Sequence, residues 1–170
     1  MIPSSKTCLR AVAGGFALLA ASAALAQTAG DAPSNNWLVT CTNQGTPDRL
    51  ACTMSQNIVQ KQTGDRIASF QIVRGADGPV VNLVLPFGAR LRDGVELLID
   101  AKSVAKLPYV SALNVGLVAE TPLTKEMLPL LRNGKIAAVK LVNMAGNPVE
   151  VQIDLIGFSR AYDLFSSVGG

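Results

Sequence analysis

The chain has 170 residues, of which 49% are hydrophobic and 16% charged, a balance that excludes wholesale disorder. Histidine is absent, which removes His-dependent catalytic triads, imidazole metal sites and histidine pH switches. The formal charge is only +3, with one Trp, two Tyr and five Phe, so there is no footprint for nucleic-acid binding.

The first segment reads as an export signal. Lys6 and Arg10 give a basic start, no acidic residue appears before Asp31, and a modest apolar run ends in Ala24-Leu25-Ala26. Basic start, apolar run and A-x-A motif together predict a cleaved secretory signal over residues 1–26, with Gln27 as the first mature residue. The alternative, an uncleaved anchor, would need a longer span less dominated by alanine. Cys8 precedes the apolar run, so a lipid-anchored cysteine is not expected. Removing the signal leaves about 144 residues, enough for one domain with a full core. It also takes Lys6 and Arg10, leaving thirteen basic against twelve acidic residues. Residues 27–36 are small and polar and are expected to form a flexible leader, with one domain over 37–170.

Two cysteines remain, Cys41 and Cys52, an even pair that in an oxidising compartment is expected to form a disulfide. The ten residues between them include the turn formers Gly45, Pro47 and Asp48. Residues 37–42 and 50–54 around the pair read as short strands, so the expectation is a hairpin stapled across its two strands. A redox-active pair would want a closer C-x-x-C spacing.

Beyond the hairpin, apolar residues recur with a period near two between turns. Residues 66–74 form a candidate strand, followed by a turn at Gly75–Gly78. Residues 79–85 are nearly apolar throughout, which predicts a central strand. Leu91 precedes a turn at Arg92-Asp93-Gly94, and strands are predicted at 95–100, 109–110, 116–119 and 136–142. After a turn at Ala145–Pro148, Val149, Val151, Ile153 and Leu155 alternate with Glu150, Gln152 and Asp154, predicting a strand with one dry and one wet face. One short helix is predicted over 125–132, capped by Thr121 or Thr124, limited by Pro129 and stopped at Asn133-Gly134. A further helical turn is read at 160–165. Many short strands with one small helix predict an all-β antiparallel sandwich.

Several pieces, in order along nearly the whole mature chain, carry a resemblance. They are Trp37-x-x-x-Cys41 with Cys52, the run from Leu85-Pro-Phe-Gly to Ile99-Asp100, Pro108-Tyr109, and Gly116–Ala119. The Leu-rich helix ending in Asn133-Gly134, and Leu155-Ile-Gly-Phe158 with Ala161, complete the set. Together they resemble the invasion-associated locus B family of exported Gram-negative proteins. The resemblance implies an immunoglobulin-like β-sandwich, an envelope location and an association with bacterial entry into host cells, without catalytic residues. Family members commonly carry a second cysteine pair in a C-x4-C arrangement, and here those positions hold Ala112 and Leu117. Their joint loss is what mutual bonding implies, and apolar packing must hold that region instead.

A catalytic reading would have to be built from carboxylates, lysines, serines and tyrosines. Asp93 is explained by its turn, Glu96, Glu150 and Asp154 by the wet faces of strands, and Asp100 by capping after a strand. Calcium would need clustered oxygen ligands, which the spacing does not offer. The expectation is therefore a protein that is not an enzyme and uses no metal or cofactor. A binding reading has more support. Arg90 and Arg92 flank Leu91, so in extended geometry both project from one face. They form either a small basic patch for an anionic partner or a solvated strand edge whose charge discourages aggregation. Trp37 is expected in the core against the disulfide, and Met127, Leu128, Leu130 and Leu131 are expected to cover one end of the sandwich. The expected partner is an envelope or host-surface protein or glycan, with no nucleic acid and no transmembrane span after cleavage. The alternative role is a housekeeping periplasmic protein that supports envelope integrity.

Overall fold

The computed structural model describes residues 36–43 and 50–168. The expected signal at 1–26, nearly all of the leader and the turn at 44–49 lie outside the described residues. The described chain runs β1 (Leu38–Asn43), β2 (Leu50–Val59), β3 (Arg66–Gly75), β4 (Gly78–Leu85), β5 (Val95–Ile99), β6 (Lys102–Leu107), β7 (Tyr109–Leu113), β8 (Gly116–Pro122), α1 (Met127–Asn133), β9 (Ile136–Val142), β10 (Pro148–Asp154) and α2 (Phe158–Ser167). The strands form two antiparallel sheets, one ordered β1-β2-β3-β4-β8-β7 and the other β10-β9-β5-β6. This is the all-β sandwich that the period-two pattern predicts.

The core follows from alternation. In register across the larger sheet, Gln56, Phe70, Leu83, Ala119 and Tyr109 form one row. On the same inward face lie buried Met54, Ile72 and Val81. From the smaller sheet, Val95, Leu97, Ile99, Val139, Leu141 and Ile153 join the same core cluster. The strand at 79–85 sits inside its sheet, between β3 and β8, as its apolar run requires. In β10, Ile153 is buried, Val149 and Val151 are half-buried and Glu150 and Gln152 are exposed, as the alternation foretold.

The structure adds β6, which the sequence reading passed over, and extends β2 to Val59. It also makes the second helix the longer of the two. The α2 helix has ten residues and buries Phe158, Ala161 and Phe165, one stripe of an amphipathic helix. Arg74 on β3 holds its C-terminal end: Nη2 donates to the carbonyls of Phe165 (2.8 Å) and Val168 (3.0 Å), and the guanidinium lies over the Phe165 ring. A cation on a helix C-terminus satisfies orphan carbonyls and complements the helix dipole.

The α1 helix begins where Thr124 Oγ1 accepts the Met127 N–H at 3.2 Å, which settles the capping choice, since Thr121 lies in β8. Pro129 comes one residue after the Leu128 N–H closes the first turn on the Thr124 carbonyl at 3.1 Å, so its missing N–H forgoes one helical bond and keeps the helix short. Gly134 ends the helix for a steric reason: a β-carbon there would lie 2.6 Å from Ile99 Cγ2 and 2.7 Å from the Leu130 carbonyl oxygen. Met127 and Leu131 are buried and Leu128 is half-buried, but Leu130 is exposed, so only part of the predicted stripe covers the core.

Candidate functional site

Cys41 and Cys52 are direct cross-strand partners in the β1–β2 hairpin and are joined by a disulfide, with Cα atoms 4.0 Å apart. Cys52 is buried in the core and Cys41 packs against it. Trp37, just upstream, is in the core as expected, but its neighbours are aromatic. Its ring meets Phe70 and Phe158 edge-on, at 5.6 and 5.1 Å between centroids, and its Nε1 donates to the Asp154 carbonyl at 3.1 Å. Edge-to-face geometry places the positive ring edge against the negative ring face.

Arg90 and Arg92 do not sit on an extended strand. Residues Leu91–Asp93 form a 3-10 turn, closed by the Asp93 N–H donating to the Arg90 carbonyl at 3.2 Å, so i, i+2 spacing no longer puts both on one face. The turn wins over alternation because Gly94 follows it at φ 68°, where a side chain would be strained. The two arginines still border one shallow depression of about 500 Å³, formed by residues 89–93 and Met144. Two loops make this surface. The Arg90 N–H donates to Val142, and the Met144 N–H donates to Gly88. They bring together Leu91 (59% exposed) and Met144 (70%), an apolar pair that spacing along the sequence could not have joined. Among the described residues, neither guanidinium is within ion-pair distance of a carboxylate.

The outer face of the smaller sheet is a charge ladder. Lys106, Glu96, Lys140 and Glu150 are successive cross-strand neighbours on β6, β5, β9 and β10, with Lys140 Nζ 3.5 Å from Glu150 Oε2. Lys106, Glu96 and Lys140 border a depression of about 650 Å³ that also takes in Arg92, Asp93 and Ser103. Opposite charges facing across strands stabilise the sheet. Two further carboxylates are engaged structurally. Asp154 Oδ1 accepts from the Ile156 N–H at 2.8 Å. Asp100 Oδ1 accepts from the N–H groups of Lys135 and Ile136, at 3.1 Å each, and these bonds hold its carboxyl below the usual range, with Lys135 and Lys102 adding to the effect. Burial raises the Tyr109 hydroxyl above its ordinary value.

Ala112 and Leu117 are directly opposed on β7 and β8, the same relation that Cys41 and Cys52 have on β1 and β2. Cysteines at 112 and 117 would therefore bridge neighbouring strands, and β7, like β1, is an edge strand.

These features define a class: a small antiparallel β-sandwich stapled across its first hairpin, with a C-terminal helix packed on that hairpin through the Trp37 aromatic cluster. The chain belongs to the invasion associated locus B (IalB) protein family, whose profile matches residues 37–166. It is 31% identical over 130 residues to an invasion protein B homolog of Brucella abortus strain 2308, covering 75% of this chain and 74% of that protein. The same figures hold for the homolog of Brucella abortus biovar 1 strain 9-941. The crystal structure of invasion associated protein B from Bartonella henselae has the same fold, with a TM-score of 0.69 at 24% identity over 78% of this chain and 92% of that one.

Proposed function

We propose that the chain is an exported, envelope-associated binding protein that assists contact with, or entry into, host cells, and that it acts without catalysing a reaction. Family membership over residues 37–166 is the observation that carries this reading, and the relatives in Brucella abortus are described as invasion protein B homologs. Export is supported by the basic start, apolar run and Ala24-Leu25-Ala26 motif. Among the described residues no helix is long and apolar enough to cross a membrane. The partner is a protein or glycan of the envelope or host surface. Leu91 and Met144 with Arg90 and Arg92 form the contact, because exposed apolar groups beside cations supply both burial and charge to a partner.

Protease shaving of intact cells tests the reading, with periplasmic and outer-membrane proteins as controls. Digestion while the periplasmic control survives is the expected result. Protection until the outer membrane is breached would overturn direct host contact and leave a housekeeping role at the envelope.

A further inference from the structure

The sequence has four methionines, and Met1 lies in the expected signal. Met54 and Met127 are buried, at 0% and 4% exposure, whereas Met144 is 70% exposed. Its position follows from the backbone around it. The Met144 N–H donates to the Gly88 carbonyl at 2.8 Å, and the Asn143 N–H donates to the Asn147 carbonyl at 2.9 Å. Asn143 Oδ1 accepts the Asn147 N–H at 2.9 Å, and Asn143 bridges to Ala89. With the loop fixed at both ends, the thioether stays in solvent. Leu91, Arg90 and Arg92 border the same depression. Arg90 lies against this loop, since a β-carbon at Gly146 would be 3.3 Å from its Nη2.

We infer that Met144 is a modification site, oxidised to the sulfoxide by a peroxide ahead of the buried methionines, and that the sulfoxide weakens the contact made by this surface. The second half rests on the contact reading above. In the reaction a sulfur lone pair attacks one peroxide oxygen, so an S–O bond forms and the O–O bond breaks. The departing oxygen takes the proton of the attacked one and leaves as water. Sulfur gives up two electrons and the peroxide gains them. Access decides which methionine reacts, because the oxidant must reach the sulfur. The product is polar where the thioether was apolar, so Leu91 loses its apolar neighbour. The new oxygen is also an acceptor, and arginine offers only donors. The guanidiniums at the rim are thereby drawn from the partner towards the sulfoxide.

Hydrogen peroxide treatment of the exported chain, with its disulfide intact, tests the site by peptide mass mapping. The expected result is one added oxygen at Met144, with Met54 and Met127 reacting about tenfold more slowly until denaturant exposes them. The thermal midpoint of the singly oxidised chain should match that of the untreated one, since an exposed side chain supports no core. Oxygen at Met54 or Met127 as fast as at Met144, or a midpoint that falls with the first oxygen, would overturn the inference. Retention on cultured host cells tests the consequence. The treated chain should be retained about tenfold less, the loss expected when one apolar side chain no longer buries. Met144→Gln should resemble the treated chain, and Met144→Leu should bind at a level that treatment does not alter. Full retention of the treated chain while Leu91→Ser weakens it would overturn the consequence. If Leu91→Ser and Arg90→Ser bind like the wild type, or no form binds, the contact reading fails instead, and the mapping alone decides the modification site.

Discussion

Asp100 and Ala101 turn the chain from β5 into β6 with φ of 47° and 66°, conformations that side chains rarely adopt and that aspartate tolerates better than most. The Asp100 carboxylate then reaches the start of β9, where Lys135 and Ile136 donate to it. Those bonds lower its folded pKa below the ordinary aspartate value. A carboxyl with a depressed folded pKa stabilises the fold at every pH above its unfolded value, and the contribution fades as pH falls from there through the folded value. Asp100→Asn, which keeps an acceptor and suits the same φ, should therefore melt close to the wild type near neutrality. As pH falls below about 4 the wild-type midpoint should drop more steeply than that of the variant. Asp100→Ala, with no acceptor, should lower the midpoint at every pH. Thermal melts across that range check both, and parallel curves for wild type and Asp100→Asn would exclude a role for the charge.

The same turn explains what the sequence hid at the scale of elements. Asp100 is the one turn former in the β5–β6 hairpin and no Gly, Pro or Asn accompanies it, so β6 follows a turn only weakly marked in the sequence. β10, by contrast, was legible because one face is wet and the apolar positions keep a strict period of two. Arg90 and Arg92 were misplaced because an apolar residue between two charged ones reads as extended, whereas the 3-10 turn is fixed by Gly94 downstream and by the Ala89–Asn143 bridge across the loops. The meeting of Leu91 and Met144 comes from that long-range pairing and carries no local signal. The hairpin disulfide was legible, because two cysteines flanking turn formers leave few other geometries. Its loss through Cys41→Ser should cost about 2–5 kcal/mol, read from the denaturation midpoint. The opposed pair on the other edge gives a sharper test of register. Ala112→Cys with Leu117→Cys should oxidise spontaneously, a loss of two mass units. The oxidised double variant should be more stable than its reduced form by about 2 kcal/mol, the loop-entropy value for so short a closure. Comparing redox forms of one variant removes the packing that Leu117 gives up. Two free thiols after air oxidation would refute the β7–β8 register.

Across the whole molecule, Trp37 joins parts that are distant in sequence. Its ring packs against Phe70 on β3 and Phe158 on α2, while its indole N–H bonds to the Asp154 carbonyl at the end of β10. One side chain from the start of the domain thus touches both sheets and the terminal helix. Both the larger sheet and the terminal helix lose packing if that contact opens, since Phe70 and Phe158 would lose the ring that lies against them. Small domains with a single core of this kind usually unfold in one cooperative step. As the only tryptophan, and one that is 4% exposed, Trp37 reports that step directly. In a denaturant titration its emission should shift to the red with the same midpoint as the loss of β-sheet circular dichroism. Trp37→Phe keeps an aromatic ring but strands the Asp154 carbonyl and leaves a void, so it should cost about 2–4 kcal/mol without changing the fold. If the emission shifted at lower denaturant than the sheet signal, the N-terminal hairpin and α2 would be separating from an intact sandwich. The aromatic cluster would then be a detachable lid rather than part of one core.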